Sequence, residues 1–237
     1  VKNLGYPLPL VIEILERLCA AGLDTIGTDI ITLNGNKPCE DSGPSDFSAQ
    51  RLSSDPSYCQ LRVAHEDLAK RALYLMNRCP SGGRLAVLGD DDFMSLTLAS
   101  TKHFEHITVF EIDERIVFLI RKIATKEKLP VTVVQHDLRS ALPSRMLRMY
   151  DAFYTDSPYS LPGFSLFISR GLDLLKPGIK KHGFASLSCE IPVMEDLELP
   201  VQKAITDMGL YIEGKTHPAT NIIPDDIQNR FPTYQSI

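Results

Sequence analysis

The sequence predicts a doubly wound α/β domain, in which a parallel sheet is covered by helices on both faces. Short and almost continuously apolar segments alternate with longer segments whose apolar residues recur at helical spacing. Strands that are apolar along their whole length are typical of parallel sheets buried on both faces. The chain has 237 residues, 43% of them hydrophobic, so it can bury a substantial core. We therefore expect one main domain with a small appendage.

The elements follow one another in a regular order along the second part of the chain. Six short apolar segments are predicted as strands, in the order RLAVLG, HITVFEI, VTVVQHD, YDAFYTD, GFASLSCE and LYIEGKTH. Five longer segments are predicted as helices, in the order RVAHEDLAKRALYLMNRC, DFMSLTLASTKH, DERIVFLIRKIATKEK, GFSLFISRGLDLLKPG and EDLELPVQKAITDMG. Helices separate most of the strands, which is the connection that a parallel sheet requires.

The N-terminal residues have a different pattern. LPLVIEILERLCAAGL has helical spacing and ends at Gly22, a natural residue after a helix, and TIGTDIITLNG is predicted as a strand or hairpin wing. Residues 1–35 are therefore predicted to be winged-helix-like. A stretch rich in Ser, Pro, Asp and Gly follows and predicts a linker at residues 36–57. The α/β domain is expected at 58–237.

Composition narrows the class of partner. The net charge of −5 favours a cationic ligand over nucleic acid, and no apolar run approaches the roughly 20 residues of a membrane span. The five cysteines are far apart and form no CxxC pair, which argues against a disulfide framework and a zinc site. The histidines show no metal-ligand spacing either. We expect a cytoplasmic protein without a metal or a membrane contact.

Acidic residues follow four of the predicted strands. They lie in GDDDF, FEID, QHDL and YTDSPY and are Asp90, Asp91, Asp92, Glu111, Asp113, Asp137 and Asp156. An aspartate at a helix start also caps free backbone N–H groups, which explains one or two of the first three acids and also Asp113. Capping does not explain acids at four strand ends together. Because ligands bind at the carboxyl ends of parallel strands, the cluster predicts a cationic or hydroxyl-rich ligand.

The spacing of these acids favours a nucleoside. Glu111 follows Gly89 by 22 positions, where an acid commonly binds ribose hydroxyls, and Asp137 is expected beside the adenine edge. The turn LGDDDF has no GxGxxG pattern, and its three acids would repel phosphate, which argues against NAD. They would also repel the carboxylate of S-adenosylmethionine. Decarboxylated S-adenosylmethionine, which keeps the sulfonium and the amine, fits better.

These segments resemble a known family. They are similar to segments of the branched-chain polyamine synthases, which are N4-aminopropyltransferases that build N4-bis(aminopropyl)spermidine from spermidine. The segments that carry the resemblance are LGDDDFMSL, FEIDER, HDLRSALP, YDAFYTDSPY and DPSYCQ. The resemblance implies a Rossmann-like, methyltransferase-like catalytic domain preceded by a winged-helix part. Family members typically read DPPY where this chain has Ser157 after Asp156.

The resemblance also implies roles for individual residues. Asp156 would bind the reactive amine and accept its proton, and Tyr159 would fix the polyamine, so both are expected to be catalytic. Substrate binding is expected at Asp91, Asp92, Asp156, Ser157, Pro158 and Tyr159. Binding of decarboxylated S-adenosylmethionine, as a co-substrate rather than a tightly bound cofactor, is expected at Gly89, Asp90, Glu111, Asp113, Asp137 and Leu138.

Two other function classes stay open from the sequence. An S-adenosylmethionine-dependent N-methyltransferase uses a similar (N/D)PPY strand end to hold an exocyclic amine of nucleic acid or protein, although a nucleic-acid enzyme is expected to have a basic channel. A winged-helix regulator would need basic residues on its recognition helix, where VIEILERLCAAG offers Arg17. The preferred partner is a small polyamine, with no nucleic acid and no membrane, and a homodimer is compatible with the sequence.

Overall fold

The chain divides into two compact units, Val1–Asp41 and Ser42–Ile237. The computed structural model describes residues 44–178, 181–186 and 197–214, and the backbone of residues 25–26 and 30–31. In the first unit, β1 (Thr25–Ile26) and β2 (Ile30–Ile31) pair antiparallel, as expected for the predicted hairpin wing. The helix predicted before the hairpin lies outside the described residues, so the winged-helix assignment stays a prediction.

The second unit contains a five-stranded parallel sheet in the order β5-β4-β3-β6-β7. Its strands are β3 (Arg84–Leu88), β4 (His106–Glu111), β5 (Val131–Gln135), β6 (Ala152–Asp156) and β7 (His182–Ser186). The described helices are α1 (His65–Arg78), α2 (Met94–Ser100), α3 (Glu114–Lys126), α4 (Leu161–Leu174) and α5 (Glu198–Asp207). The predicted α/β class and parallel sheet are confirmed.

Two hydrophobic cores cover the two faces of the sheet. On β3, Leu85 and Val87 belong to the core shared with α1, α2 and α3, whereas Ala86 and Leu88 belong to the core shared with α4 and α5. All four side chains are completely buried. Successive residues of a strand point to opposite faces, so a strand that is apolar throughout is buried on both. The doubly wound arrangement follows from this pattern.

The connection order creates a crevice beside β3. The chain passes from β3 to β4 and β5 on one side and then returns to β6 and β7 on the other. Leu88 lies opposite Thr155 in the register, and the Thr155 hydroxyl donates to the Leu88 carbonyl over 2.9 Å. The turn after β3 and the end of β6 are therefore neighbours at the topological switch point, where ligands bind in such sheets.

β6 carries one ring that is buried against two glycines. Phe153 is 1% exposed. A Cβ built on Gly171 would lie 2.5 to 2.6 Å from three carbons of the Phe153 ring, and a Cβ on Gly183 would collide with the same ring. The absence of both Cβ atoms leaves room for this ring on the strand that ends at Asp156.

Two predicted segments differ in the structure. Residues 44–57 fell within the predicted linker, but Phe47 is buried in the core and the Arg51 side chain is only 3% exposed, so this stretch is part of the α/β unit. The predicted strand LYIEGKTH is not formed at residues 210–214, where Tyr211 is 83% exposed; its remaining residues lie outside the described part. Within the described residues, every helix is too short or too polar to cross a membrane.

Candidate active site

The turn that follows β3 has an unusual backbone. Gly89 has a φ of +71°, and Phe93, which is 1% exposed, has a φ of +62°. A bulky residue rarely adopts this left-handed region, so the surrounding structure must hold it there. The Gly89 amide donates to the Phe110 carbonyl over 2.9 Å. The turn thus presents three consecutive aspartates in a defined conformation.

Asp90 is buried and binds within the turn. Its carboxylate accepts hydrogen bonds from the backbone amide and the hydroxyl of Ser95, at the start of α2. Burial raises the pKa of Asp90 well above its ordinary value, although the bonds from Ser95 oppose the rise. This contact matches the helix-capping alternative for one acid of the turn.

Asp92 is held by residues that precede α1. Its Oδ1 accepts from the Arg51 guanidinium over 2.6 Å and from the Val63 amide over 2.9 Å. The two charged side chains are only 3% and 6% exposed. Burial and the nearby Asp156 raise the pKa of Asp92 to about 6, against the opposing effect of Val63, Arg51 and Arg71. Residues 44–63, called the strap below, therefore supply a counter-charge to the turn.

Asp156 ends β6 and is paired with a buried arginine. Nη1 of Arg71 in α1 lies 2.7 Å from Asp156 Oδ2 and 3.2 Å from the Tyr154 hydroxyl. The side chains of Arg71 and Asp156 are 9% and 13% exposed. Burial raises the pKa of Tyr159, and the charges of Asp156 and Asp91 raise it further. Tyr159 thus stands in the field of the acidic cluster, defined as Asp90, Asp91, Asp92 and Asp156.

Three buried polar atoms at this crevice have no hydrogen-bond partner within the described residues. They are Asp91 Oδ2, Asp92 Oδ2 and Ser157 Oγ. Burial raises the pKa of Asp91 well above its ordinary value, and the charges of Asp92 and Asp156 add to the rise. Buried polar groups in proteins are normally hydrogen bonded, so unsatisfied atoms clustered at a switch point indicate a ligand site.

Pro158 belongs to the tight turn between β6 and α4. Ser160 caps α4 by accepting from the Gly163 amide over 3.2 Å. A Cβ on Gly163 would approach the Pro158 Cβ to 2.9 Å, so the close turn depends on that glycine. The turn is therefore closely packed where it follows Asp156.

Glu111 anchors the end of β4 to the turn after β3. Its carboxylate accepts from the backbone amides of Asp90, Ile112 and Asp113 over 2.8 to 2.9 Å. Burial raises its pKa, whereas these three amides lower it. An ionised carboxylate accepts about four hydrogen bonds, so capacity for about one more remains.

Asp113 is engaged by the strap and by its own helix. It accepts from Gln60 Nε2 over 3.0 Å and caps α3 by accepting from the Arg115 amide over 2.9 Å. Gln60 is 8% exposed, and its Oε1 accepts from the Asp55 amide over 2.8 Å. The segment DPSYCQ is therefore folded against the end of β4.

The residues that follow β5 are arranged separately from the acidic cluster. Asp137 binds Arg139 through both oxygens on the surface, and hydrogen bonds from Arg139 lower the pKa of Asp137 to about 2. Leu138 is 6% exposed, and its carbonyl accepts from Arg170 Nε over 2.8 Å. The predicted approach of Asp137 to adenine stays a prediction.

Comparison with known proteins decides the family. A family model described as the branched-chain polyamine synthase A C-terminal domain matches residues 45–235, which is more than half of the chain. The chain belongs to this family. The match begins at the strap, which agrees with the packing of the strap on the α/β unit.

The relatives of this branched-chain polyamine synthase family member differ in the fraction of their length that the chain covers. An uncharacterized protein of Methanocaldococcus jannaschii is 42% identical over 131 residues, 55% of this chain and 32% of the relative. The N(4)-bis(aminopropyl)spermidine synthase of the same organism is 34% identical over 213 residues, 77% of this chain and 61% of the synthase. The chain thus spans about a third to three-fifths of these relatives.

A solved structure in the same family has the same fold. It is the branched-chain polyamine synthase from Thermus thermophilus in complex with N4-aminopropylspermidine and 5'-methylthioadenosine. It matches with a TM-score of 0.58 at 23% identity, over 83% of this chain and 65% of that chain.

The two cations of this site, Arg51 and Arg71, were not predicted from the sequence. Arg71 lies three residues after Leu68 and four before Leu75, both buried, so helical spacing places it on the buried face of α1. This spacing could have indicated from the sequence that Arg71 is buried. Arg51 lies in a polar, Pro-containing stretch where no spacing indicates burial. Within the described part of the chain, no group of His, Cys, Asp and Glu side chains could hold a metal ion.

Proposed function

We propose that this chain carries the catalytic domain of an N4-aminopropyltransferase. It moves the aminopropyl group of decarboxylated S-adenosylmethionine to the secondary amine of spermidine and forms an N4-branched polyamine. The observation that carries the proposal is the buried acidic cluster at the switch point, with carboxylate oxygens of Asp91 and Asp92 that lack partners within the described residues. A polyamine supplies the cationic N–H donors that such oxygens require.

The names of the relatives support the same reaction. The Methanocaldococcus jannaschii relative is an N(4)-bis(aminopropyl)spermidine synthase, and the Thermus thermophilus structure contains N4-aminopropylspermidine and 5'-methylthioadenosine. Methylthioadenosine is what remains of decarboxylated S-adenosylmethionine after aminopropyl transfer. The donor is therefore proposed to bind at Gly89, Asp90, Glu111, Asp113, Asp137 and Leu138.

The acids of the turn support the decarboxylated donor. Burial raises the pKa values of Asp90 and Asp91, and the charge of Asp92 raises the pKa of Asp91 further. The raised pKa values indicate that the site disfavours negative charge, and a donor carboxylate beside these groups would bring in one more. A donor without a carboxylate avoids this repulsion and keeps a cationic amine that the acids attract.

The reaction requires a neutral amine and a place for its proton. The secondary nitrogen of spermidine attacks the propyl carbon bound to the sulfonium, so a C–N bond forms as the C–S bond breaks. The electron pair of the C–S bond goes to sulfur, which leaves as the neutral thioether of methylthioadenosine. The nitrogen gives its proton to Asp156, which passes it to water.

The remaining residues hold the polyamine near Asp156. Asp91 and Asp92 are proposed to bind ammonium groups, and Ser157 Oγ can donate to or accept from an amine nitrogen. The Tyr159 ring, which follows Pro158 in the closely packed turn, is proposed to cover the polyamine chain. Positioning two reactants in this way supplies a large part of the rate enhancement of a bimolecular transfer.

Replacement of Asp156 tests the assignment of the proton acceptor. Asp156→Asn keeps the size of the side chain but removes its charge and basicity. We expect turnover to fall by about 10²-fold or more, with little change in methylthioadenosine affinity, as measured by steady-state kinetics and calorimetry. Tyr159→Phe is the matched control and should be milder, because the ring is kept. Near-normal turnover in Asp156→Asn would contradict the assignment and point to Asp91 or Asp92.

A further inference from the structure

Arg71 has the features of a group built into the site rather than of a surface charge. It lies on the buried face of α1, and its side chain is only 9% exposed. A buried guanidinium is costly unless it is paired and hydrogen bonded. Burial lowers the pKa of Arg71, but Tyr154 and Asp156 outweigh this effect and raise it, so the group stays a cation.

The two acceptors of Arg71 come from one face of one strand. Tyr154 and Asp156 are two residues apart on β6, so their side chains point to the same face of the sheet. Nη1 of Arg71 donates to the Tyr154 hydroxyl over 3.2 Å and to Asp156 Oδ2 over 2.7 Å. Tyr154 is 4% exposed and belongs to the hydrophobic core. A single nitrogen is thus fixed by a core tyrosine and in turn fixes one oxygen of Asp156.

The other arginine of the site has a different arrangement. Arg51 Nη1 bonds both Asp92 Oδ1 and the Val63 carbonyl, so this pair ties the strap to the turn. Arg71 contacts no backbone carbonyl among its described hydrogen bonds and ends on two side chains of β6. Arg51 therefore bonds both backbone and side chain, whereas the described partners of Arg71 are two side chains of β6.

We infer that Arg71 is a positioning residue for aminopropyl transfer: it binds Oδ2 of Asp156 and leaves Oδ1 directed to the acceptor nitrogen. This inference rests on the proposed function. Oδ1 of Asp156 accepts no hydrogen bond within the described residues. A carboxylate held through one oxygen is restricted in its rotation, so its second oxygen is kept available to the amine.

The inference makes a specific kinetic prediction for Arg71→Met. Displacement of a reacting group by about 1 Å can cost about 10²-fold in rate, so kcat should fall by about 10²-fold. The Michaelis constant for spermidine should not rise, because the variant removes a cation from a site that attracts cations. Methylthioadenosine affinity should stay within about twofold, because the contacts of Arg71 are with β6 and not with the turn after β3.

Two further variants separate positioning from general stability. Arg71→Lys keeps the charge, so its kcat should be at least about tenfold higher than that of Arg71→Met. Tyr154→Phe removes one of the two acceptors of Arg71 while leaving the ion pair, and its kcat should fall less than that of Arg71→Met. If Arg71→Met does not fold, these two variants decide the question, since both keep the buried charge paired.

The experiment measures kcat, the Michaelis constant for spermidine and methylthioadenosine affinity in the wild-type chain and the three variants. A selective fall of kcat with partial recovery in Arg71→Lys supports the inference. Wild-type kcat in Arg71→Met overturns it, and so does wild-type kcat in both other variants where Arg71→Met does not fold. A parallel loss of kcat, spermidine binding and methylthioadenosine affinity also overturns it, because that pattern reports a structural defect. A wild-type chain that makes no aminopropylated product overturns the proposed function, and the inference with it.

Discussion

Removal of the Arg51 guanidinium should destabilise the chain strongly, and more at neutral pH than in mild acid. Arg51 and Asp92 are 2.6 Å apart with side chains 3% and 6% exposed. Breaking a buried ion pair by removing one partner typically costs about 3–5 kcal/mol, because the other charge stays buried. We therefore expect Arg51→Met to lower the free energy of unfolding by about 3–5 kcal/mol near pH 7.5.

The pH dependence follows from the pKa of Asp92. Burial and Asp156 raise it from 3.8 to about 6, so the folded chain binds this proton more readily than the unfolded chain. Stability from this group is therefore present below about pH 4 and is lost as the pH rises through about 6. Without Arg51 the pKa rises further, and each additional unit adds about 1.4 kcal/mol to the loss at high pH. Near pH 5 the variant should lose only about 1–3 kcal/mol, for the missing hydrogen bonds to Asp92 and Val63.

Urea unfolding followed by circular dichroism, near pH 5 and near pH 7.5, measures both losses. The matched control is Arg139→Met, which removes an exposed partner of Asp137; the Arg139 side chain is 77% exposed. That control should leave the free energy of unfolding almost unchanged at either pH, because solvent screens an exposed ion pair. Equal losses for Arg51→Met at the two pH values, or a loss under about 1 kcal/mol near pH 7.5, would refute the reasoning.

Two further substitutions test the donor site and the core. Glu111→Gln removes the charged acceptor that binds the amides of Asp90, Ile112 and Asp113. Methylthioadenosine binding, measured by calorimetry, should therefore weaken by about 1.5–3 kcal/mol. Unchanged affinity would contradict a role of Glu111 in the donor site. Gly171→Ala places a Cβ 2.5 to 2.6 Å from carbons of the Phe153 ring, so urea unfolding should show a loss of about 1–3 kcal/mol; unchanged stability would mean that the ring is free to move.

The parallel sheet could be predicted because its signals are local. Leu85, Ala86, Val87 and Leu88 are apolar in succession, and burial on both faces of the sheet is the reason. Helical spacing identified α1, α3 and α4 in the same way. The strand predicted at residues 210–217 shows where such signals mislead. Its first apolar residues do not join the sheet, and Tyr211 is exposed to solvent.

The positions of the acids could be predicted, but their counter-charges could not. Asp92 and Asp156 follow strands that the sequence reveals, and the connection order brings those strand ends together. Arg51 is 41 positions from Asp92, and Arg71 is 85 positions from Asp156. Spacing within one helix or strand carries no information about a partner at that distance. Because the strap is polar in composition, its sequence also did not indicate that Arg51 anchors the strap to the turn after β3.

The product of a competition reaction tests aminopropyl transfer most directly. The chain is incubated with spermidine and equal concentrations of decarboxylated and ordinary S-adenosylmethionine, and the polyamine products are identified by mass spectrometry. The acidic cluster disfavours the donor carboxylate, so the expected products are spermidine carrying one or more added aminopropyl groups, with methylthioadenosine released in equal amount to the groups added. Methylated spermidine with S-adenosylhomocysteine, or unchanged spermidine, would contradict the proposed function.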